Sequence, residues 1–245
     1  MNIDIVTAIL LILVGIGASF VQRVSGFGLG IFAMLFMPHF LPSYATAATI
    51  SCLFSCGTST YNAIKYRKDT PYKTVLPMLI SALVVIPIAV YFSASVSQRV
   101  FSILLGSVLI ALSLFFLFLN NKIKFRPSIV KGVTVGAIGG ALNGLFSTGG
   151  PPIVLYLTNA TSDNKSYFAG IQFYFCITNI YATIFRIING LFYLELLIYT
   201  AIGLLGCLIG DTVGKLVFDK LNGNLLKKII YIAMIISGVL MIINL

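Results

Sequence analysis

The chain has 245 residues, 59% of them hydrophobic and 9% charged, with a formal net charge of +10 and a mean hydropathy of +1.05. This composition excludes an ordinary water-soluble domain, and the repeated apolar runs are long enough to span a hydrocarbon core of ~30 Å, which takes about 20 residues. Most of the 16 Lys and Arg residues fall in short loops between those runs, as the positive-inside rule requires, so the basic charge points to a bilayer and not to nucleic acid.

The expected fold is all-α: a polytopic membrane protein of about eight hydrophobic segments forming one integral domain over 1–245. In chain order the segments fall at about 3–37, 44–64, 74–94, 100–119, 129–158, 167–188, 196–218 and 226–244. The opening MNIDIVTAILLILVGIG has neither the basic n-region nor the small-residue cleavage site of a signal peptide, and reads as the start of the first retained membrane segment. Segments 1 and 5 are too long for one upright helix, because 30 to 35 residues at 1.5 Å each make a rod of roughly 45 to 50 Å. Each is interrupted near its middle, by SGFGLG (25–30) and by STGGPP (147–152). Proline removes a backbone donor and collides with the preceding turn, so both segments are expected to be broken or re-entrant.

The two interruptions lie 121 positions apart, almost half the chain. That offset pairs Gly15 with Gly136, Ala18 with Gly139, Ser19 with Gly140, Gln22 with Asn143, Gly28 with Gly149 and Lys65 with Arg186. Two structurally repeated halves, about 1–121 and 122–245, follow as an expectation of the kind transporters satisfy. Loop cations bear on their orientation. If segments 1 and 5 each cross once, nine cations (65, 67, 68, 73, 122, 124, 126, 131, 186) oppose six (99, 165, 215, 220, 227, 228). If both are re-entrant or cross twice, the division becomes thirteen against two, which favours inverted halves with both termini outside. Two glycine rows, Gly132, Gly136, Gly140, Gly144 and Gly206, Gly210, Gly214, are expected to be helix-packing seams, with sliding surfaces as the alternative.

A break at membrane depth persists only where protein or a wet cavity surrounds it. Fresh helices starting near Leu29 and Pro151 would aim unbonded amides into that cavity, and such ends attract anions. The candidate binding set is Gln22, Arg23, Ser25, Gly26 and Gly28 at the first break; Asn143, Ser147, Thr148, Gly149 and Gly150 at the second; Ser55 and Asn62, with Ser51 and Thr58, on one face of segment 2; and Gln172 and Asn179 on segment 6. For any single hydroxyl the alternative is a bond back to its own helix. Arg23 is costly in a membrane segment and either meets the anion, gates it or snorkels to the interface. Asp211, in LIGDTVGK, is either a proton relay or an interface partner of Lys215.

No metal site, disulfide framework or cofactor is expected, since Cys52, Cys56, Cys176, Cys207 and His39 form no ligand cluster. HExxH, GxSxG and GxxxxGK[ST] are missing, which argues against an enzyme and against ATP-driven pumping. The GFGLG run followed by a short apolar stretch and proline (26–38), its counterpart STGGPPIVLYL (147–157) and the segmented halves resemble the TauE/SafE family of sulfite exporters and sulfonate permeases. The resemblance covers essentially the whole chain. It implies a transporter, in a bacterial or archaeal cytoplasmic membrane, of small sulfur-containing anions such as sulfite, sulfoacetate or other organosulfonates, often moved outward. An anion channel or uniporter, or a carrier of another small organic anion, is the alternative, and an intramembrane enzyme ranks last. Coupling to H⁺ or Na⁺ and assembly as a homodimer stay open.

Overall fold

The computed structural model describes residues 4–118, 126–217 and 223–243. The expected junction of the halves and the loop cations Lys122, Lys124 and Lys220 lie outside them. Every regular element among the described residues is helical: α1 (Ile5–Ser25), α2 (Leu29–Phe36), α3 (Tyr44–Lys65), α4 (Tyr72–Ser95), α5 (Gln98–Phe118), α6 (Ile129–Phe146), α7 (Gly150–Ala160), α8 (Asn164–Ile188), α9 (Glu195–Val217) and α10 (Gly223–Ile243). Short polar residues begin several of them. Ser43 accepts from the Thr46 amide, Ser128 from Lys131 and Asp163 from Lys165 and Ser166, each supplying a partner that a helix start otherwise lacks. At Asp163 the Ser166 amide, first of all, holds the carboxyl below its usual range.

Six helices, α1, α4, α5, α6, α8 and α9, are long and apolar enough to cross a membrane, and the chain is a multi-pass membrane protein. Their outward faces carry large exposed hydrophobics such as Ile80, Val84, Ile88 and Tyr91 on α4, which suit lipid and not water. The 22-residue α3 is not among the six. Its Thr46, Thr49, Ser51, Ser55, Ser59 and Asn62 are buried and lower its hydropathy, because α3 runs through the interior.

The first long segment is a helical hairpin and not a bent rod. Gly17 of α1 faces the Phe32 ring and Val21 faces Gly28, so α2 climbs back along α1 as the numbering descends. The fifth is built alike: Gly132 faces Tyr156, Gly139 faces Ile153, and Gly149 meets Asn143 and the Gly139 carbonyl.

Both glycine rows are contact surfaces. Gly206, Gly210 and Gly214 of α9 lie on Ile12, Ile16 and Phe20 to Arg23 of α1, while Gly132, Gly136, Gly140 and Gly144 of α6 lie on Pro77, Met78, Ala82 and Ile86 to Ala89 of α4. In both pairs the numbering rises together, so the helices run parallel. α3 and α8 run oppositely, through Thr49–Arg186, Ser55–Asn179 and Thr60–Cys176. So do α5 and α10, through Ser102–Met241 and the stacked Phe116–Tyr231. Without a hydrophobic force between helices in lipid, this close backbone contact is the main source of cohesion.

A methyl group at Gly210 would strike the Ile16 carbonyl. Gly210→Ala is expected to lower stability by about 1–3 kcal/mol, as overpacking does, seen as a lower melting temperature in detergent. Gly57→Ala, which meets only the flexible Leu204 side chain at 3.0 Å, should melt near wild type.

Candidate functional site

The two hairpin tips meet. Gly30, in the first turn of α2, lies against the Ser147 carbonyl with no room for a side chain, and Ser147 Oγ donates to the Ala48 carbonyl of α3 at 2.7 Å. Both turns use left-handed backbone: Gly26 ends α1 at φ 84° and Ser147 ends α6 at φ 58°. Glycine takes that conformation freely. Ser147, 121 positions on and the one non-glycine residue with positive φ among those described, is held there by its bond to α3.

Between the tips lies a small cavity, with room for about one water molecule. Gln22, Ser55, Asn143, Ser147 and Thr148 give it a polar side; Gly28, Leu29, Gly30 and Gly150 bring the starts of α2 and α7 to it; Ile31 and Phe175 complete the wall. The first bond within α2 is Phe32 N–H to the Gly28 carbonyl at 2.9 Å. The amides of Leu29, Gly30 and Ile31 therefore precede it and have no intrahelical acceptor. α7 contributes less than expected, because two of its first residues, Pro151 and Pro152, carry no amide proton.

The side chains at the two tips differ in how they are satisfied. At the first, Gln22 Nε2 donates to Gln172 Oε1 at 3.4 Å and Gln22 Oε1 accepts from Thr58 at 3.2 Å. Gln172 Nε2 donates onward to the Gly26 carbonyl at 3.3 Å, and Tyr167 to the Ser25 carbonyl at 3.4 Å. At the second, Asn143 Nδ2 and Thr148 Oγ1, together with Ser51 Oγ of α3, are buried without a partner. None of the three residues exceeds 2% exposure. Ser51 Oγ is placed next to Gly30, 3.6 Å from where a methyl would stand.

Of the residues singled out from sequence, Gln22, Gly28, Ser55, Asn143, Ser147, Thr148 and Gly150 line the cavity. Gln172 and Asn179 stand behind it, the latter donating to Ser55 Oγ at 2.8 Å. Ser25 Oγ bonds back to Val21 at 2.7 Å, Gly26 forms the turn and Gly149 packs on α6. Asn62 bonds back to Thr58 within α3 at 3.0 Å. Arg23 is outside the lining: it stands 3.8 Å from Asp211 of α9 and 5.4 Å over the Phe168 ring. Asp211 thus faces Arg23, not the Lys215 expected from its own helix, because parallel packing brings the end of α1 beside it. Arg186, read as a loop cation, is fully buried. It lies less than a turn from the end of α8, where sequence alone gives no sign that another helix covers it. No group of three or more metal-ligating side chains occurs among the described residues.

The family model for the sulfite exporter TauE/SafE matches residues 11–241. The chain belongs to the TauE/SafE family. The match runs from within α1 to within α10, so both tips of this TauE/SafE protein and all the polar residues around them fall inside it. No curated protein and no solved structure matches the chain.

The contact between the tips can be tested by stability. Gly30→Ala is expected to cost about 1–3 kcal/mol by forcing a backbone carbonyl aside. Ser147→Gly, which keeps the left-handed turn but loses one hydrogen bond, should cost no more than about 1.5 kcal/mol. Thermal melts of the two variants check the order.

Proposed function

We propose that this TauE/SafE protein is a secondary transporter of small sulfur-containing anions, sulfite or organosulfonates such as sulfoacetate, held between the hairpin tips and exported by alternating access. The observation that carries this reading is the set of unpartnered polar atoms, Ser51 Oγ, Asn143 Nδ2 and Thr148 Oγ1, buried opposite the unbonded amides that open α2. A buried polar group without a partner is costly, and an oxyanion supplies the missing acceptors. Sulfur is what the family adds to an anion site read from the residues.

The mechanism rests on two inverted halves, about 1–121 and 122–245, in one integral membrane domain. Several facts support it. The 121-residue offset carries α2 onto the start of α7 and α3 onto 165–186, within α8. Exchanging the halves turns the α4–α6 contact into α9–α1 and leaves α3–α8 and α5–α10 as self-paired contacts, each between antiparallel helices. With Arg186 buried, the loop cations divide thirteen against one in the inverted arrangement. Hairpins entering from opposite sides would put their tips together inside the membrane, where rocking of one half against the other exposes the cavity to each side in turn. Arg23 and Asp211 belong to the α1–α9 contact and are no longer placed on the substrate. H⁺ or Na⁺ coupling and a homodimer are compatible with this scheme.

The test is uptake by the purified protein in liposomes, with sulfite, sulfoacetate, taurine and thiosulfate under imposed pH and sodium gradients. Asn143→Leu, which removes a donor of the kind worth about 1.5–3 kcal/mol to a charged ligand, should lower uptake at least tenfold without lowering the melting temperature. Wild-type rates in that variant, or no uptake of any of these anions by the wild type, would refute the reading. Transport that never exceeds the electrochemical gradient would identify a channel instead.

A further inference from the structure

Arg186 has no exposed surface. Its Nη2 donates to the Gly144 carbonyl at 2.8 Å and its Nη1 to Thr49 Oγ1 at 3.4 Å, while Nε has no partner among the described residues. The ion pairs Arg23–Asp211 and Lys165–Asp69 engage other side chains. The groups around Arg186 are a carbonyl, a hydroxyl and the Cys52 thiol. That thiol donates to the Asn179 oxygens at 3.6 and 3.7 Å. A guanidinium cannot shed its proton, and a buried charge with no counter-charge is expensive.

Its position gives the expense a use. Gly144 belongs to the last turn of α6, next to Asn143 and three residues before Ser147, both on the cavity wall. The carbonyls of such a last turn form the negative end of a helix dipole, which by itself would repel an anion from the tip. The guanidinium bonds one of those carbonyls and reverses the local sign. In the first hairpin the position equivalent to Gly144 under the 121-residue offset is Arg23, whose guanidinium stands 3.8 Å from the Asp211 carboxylate; among the described residues no carboxylate forms such a pair with Arg186.

We propose that Arg186 is the fixed positive charge that makes the cavity between the hairpin tips select anions, a positioning residue acting through the end of α6 without touching the substrate. The proposal rests on the anion-site reading given above. A charge acting at a distance is felt in proportion to the ligand's own charge, whereas a merely structural residue affects ligands of equal size alike.

Affinities of the purified protein for methanesulfonate, a monoanion, and for sulfite at alkaline pH, a dianion, separate the two roles; calorimetric titration reads both. Arg186→Gln is expected to weaken methanesulfonate about tenfold and sulfite about a hundredfold, the squared factor that doubled charge demands. Arg186→Lys should keep the wild-type ratio of the two affinities. Thr49→Asp places a carboxylate on Nη1 and cancels the charge with the arginine still in place. It should reproduce the Arg186→Gln pattern, so the test stands even where Arg186→Gln fails to fold. An unchanged ratio in Arg186→Gln or Thr49→Asp, or a lost ratio in Arg186→Lys, would overturn the role of Arg186 and leave the anion site intact. Failure of the wild type to bind either anion would instead remove the anion site itself.

Discussion

Hydrocarbon offers no hydrogen-bond partners, so a chain that leaves the helix inside a bilayer must satisfy its freed amides and carbonyls from the protein itself. Two such departures, at residues 26–28 and 147–149, organise this molecule. Each is enclosed by helices packed nearly backbone to backbone through glycine: α9 on α1, α6 on α4. The polar face of α3 is buried for the same reason: its Thr58 hydroxyl donates to Gln22 at the first tip, its Ala48 carbonyl accepts from Ser147 at the second, and its Ser55 hydroxyl accepts from Asn179 of α8. A chain of this apolarity does not require so polar a helix for stability. Its place between the two turns accounts for it.

The two hairpins are alike in path but not in chemistry. At the first tip Gln22, Gln172, Thr58 and Tyr167 bond to one another and to the turn, leaving little for a guest. At the second, the shorter Asn143 replaces Gln22 and Ser51 replaces Gln172 under the 121-residue offset. Both are too short to meet, and their polar atoms stay unpaired. One polar cluster thus closes on itself and its counterpart stays open, which confines the vacant hydrogen bonds to one side of the cavity.

Local features were legible in the sequence and distant ones were not. The breaks could be read because glycine and proline act on their own backbone, and the glycine rows because a four-residue spacing fixes one helix face. Half of the candidate residues line the cavity, all but Ser55 because they sit at those breaks. The Arg23–Asp211 pair joins residues 188 positions apart and exists only because α1 and α9 run parallel, which no local pattern encodes. Arg186 was misread because a cation near a segment end normally reaches water; here α3 and α6 cover it. The expectation for α7 needs a smaller adjustment. Its prolines suit a helix start but remove two of the amides there, leaving that of Gly150.

The sign of the charge proposed for the cavity's guest rests on which vacant groups can only donate. The hydroxyls of Ser51 and Thr148 are donor and acceptor alike and would serve a cation or an anion equally. Asn143 Nδ2 and the amides of Leu29, Gly30 and Ile31 cannot accept, and no carboxylate lines the cavity. A cation placed there would lose its hydration and face these N–H donors with no carboxylate to offset them. An oxyanion would lose its hydration and find a ring of donors already desolvated and already oriented, so the cost of arranging them has been met in folding the hairpins.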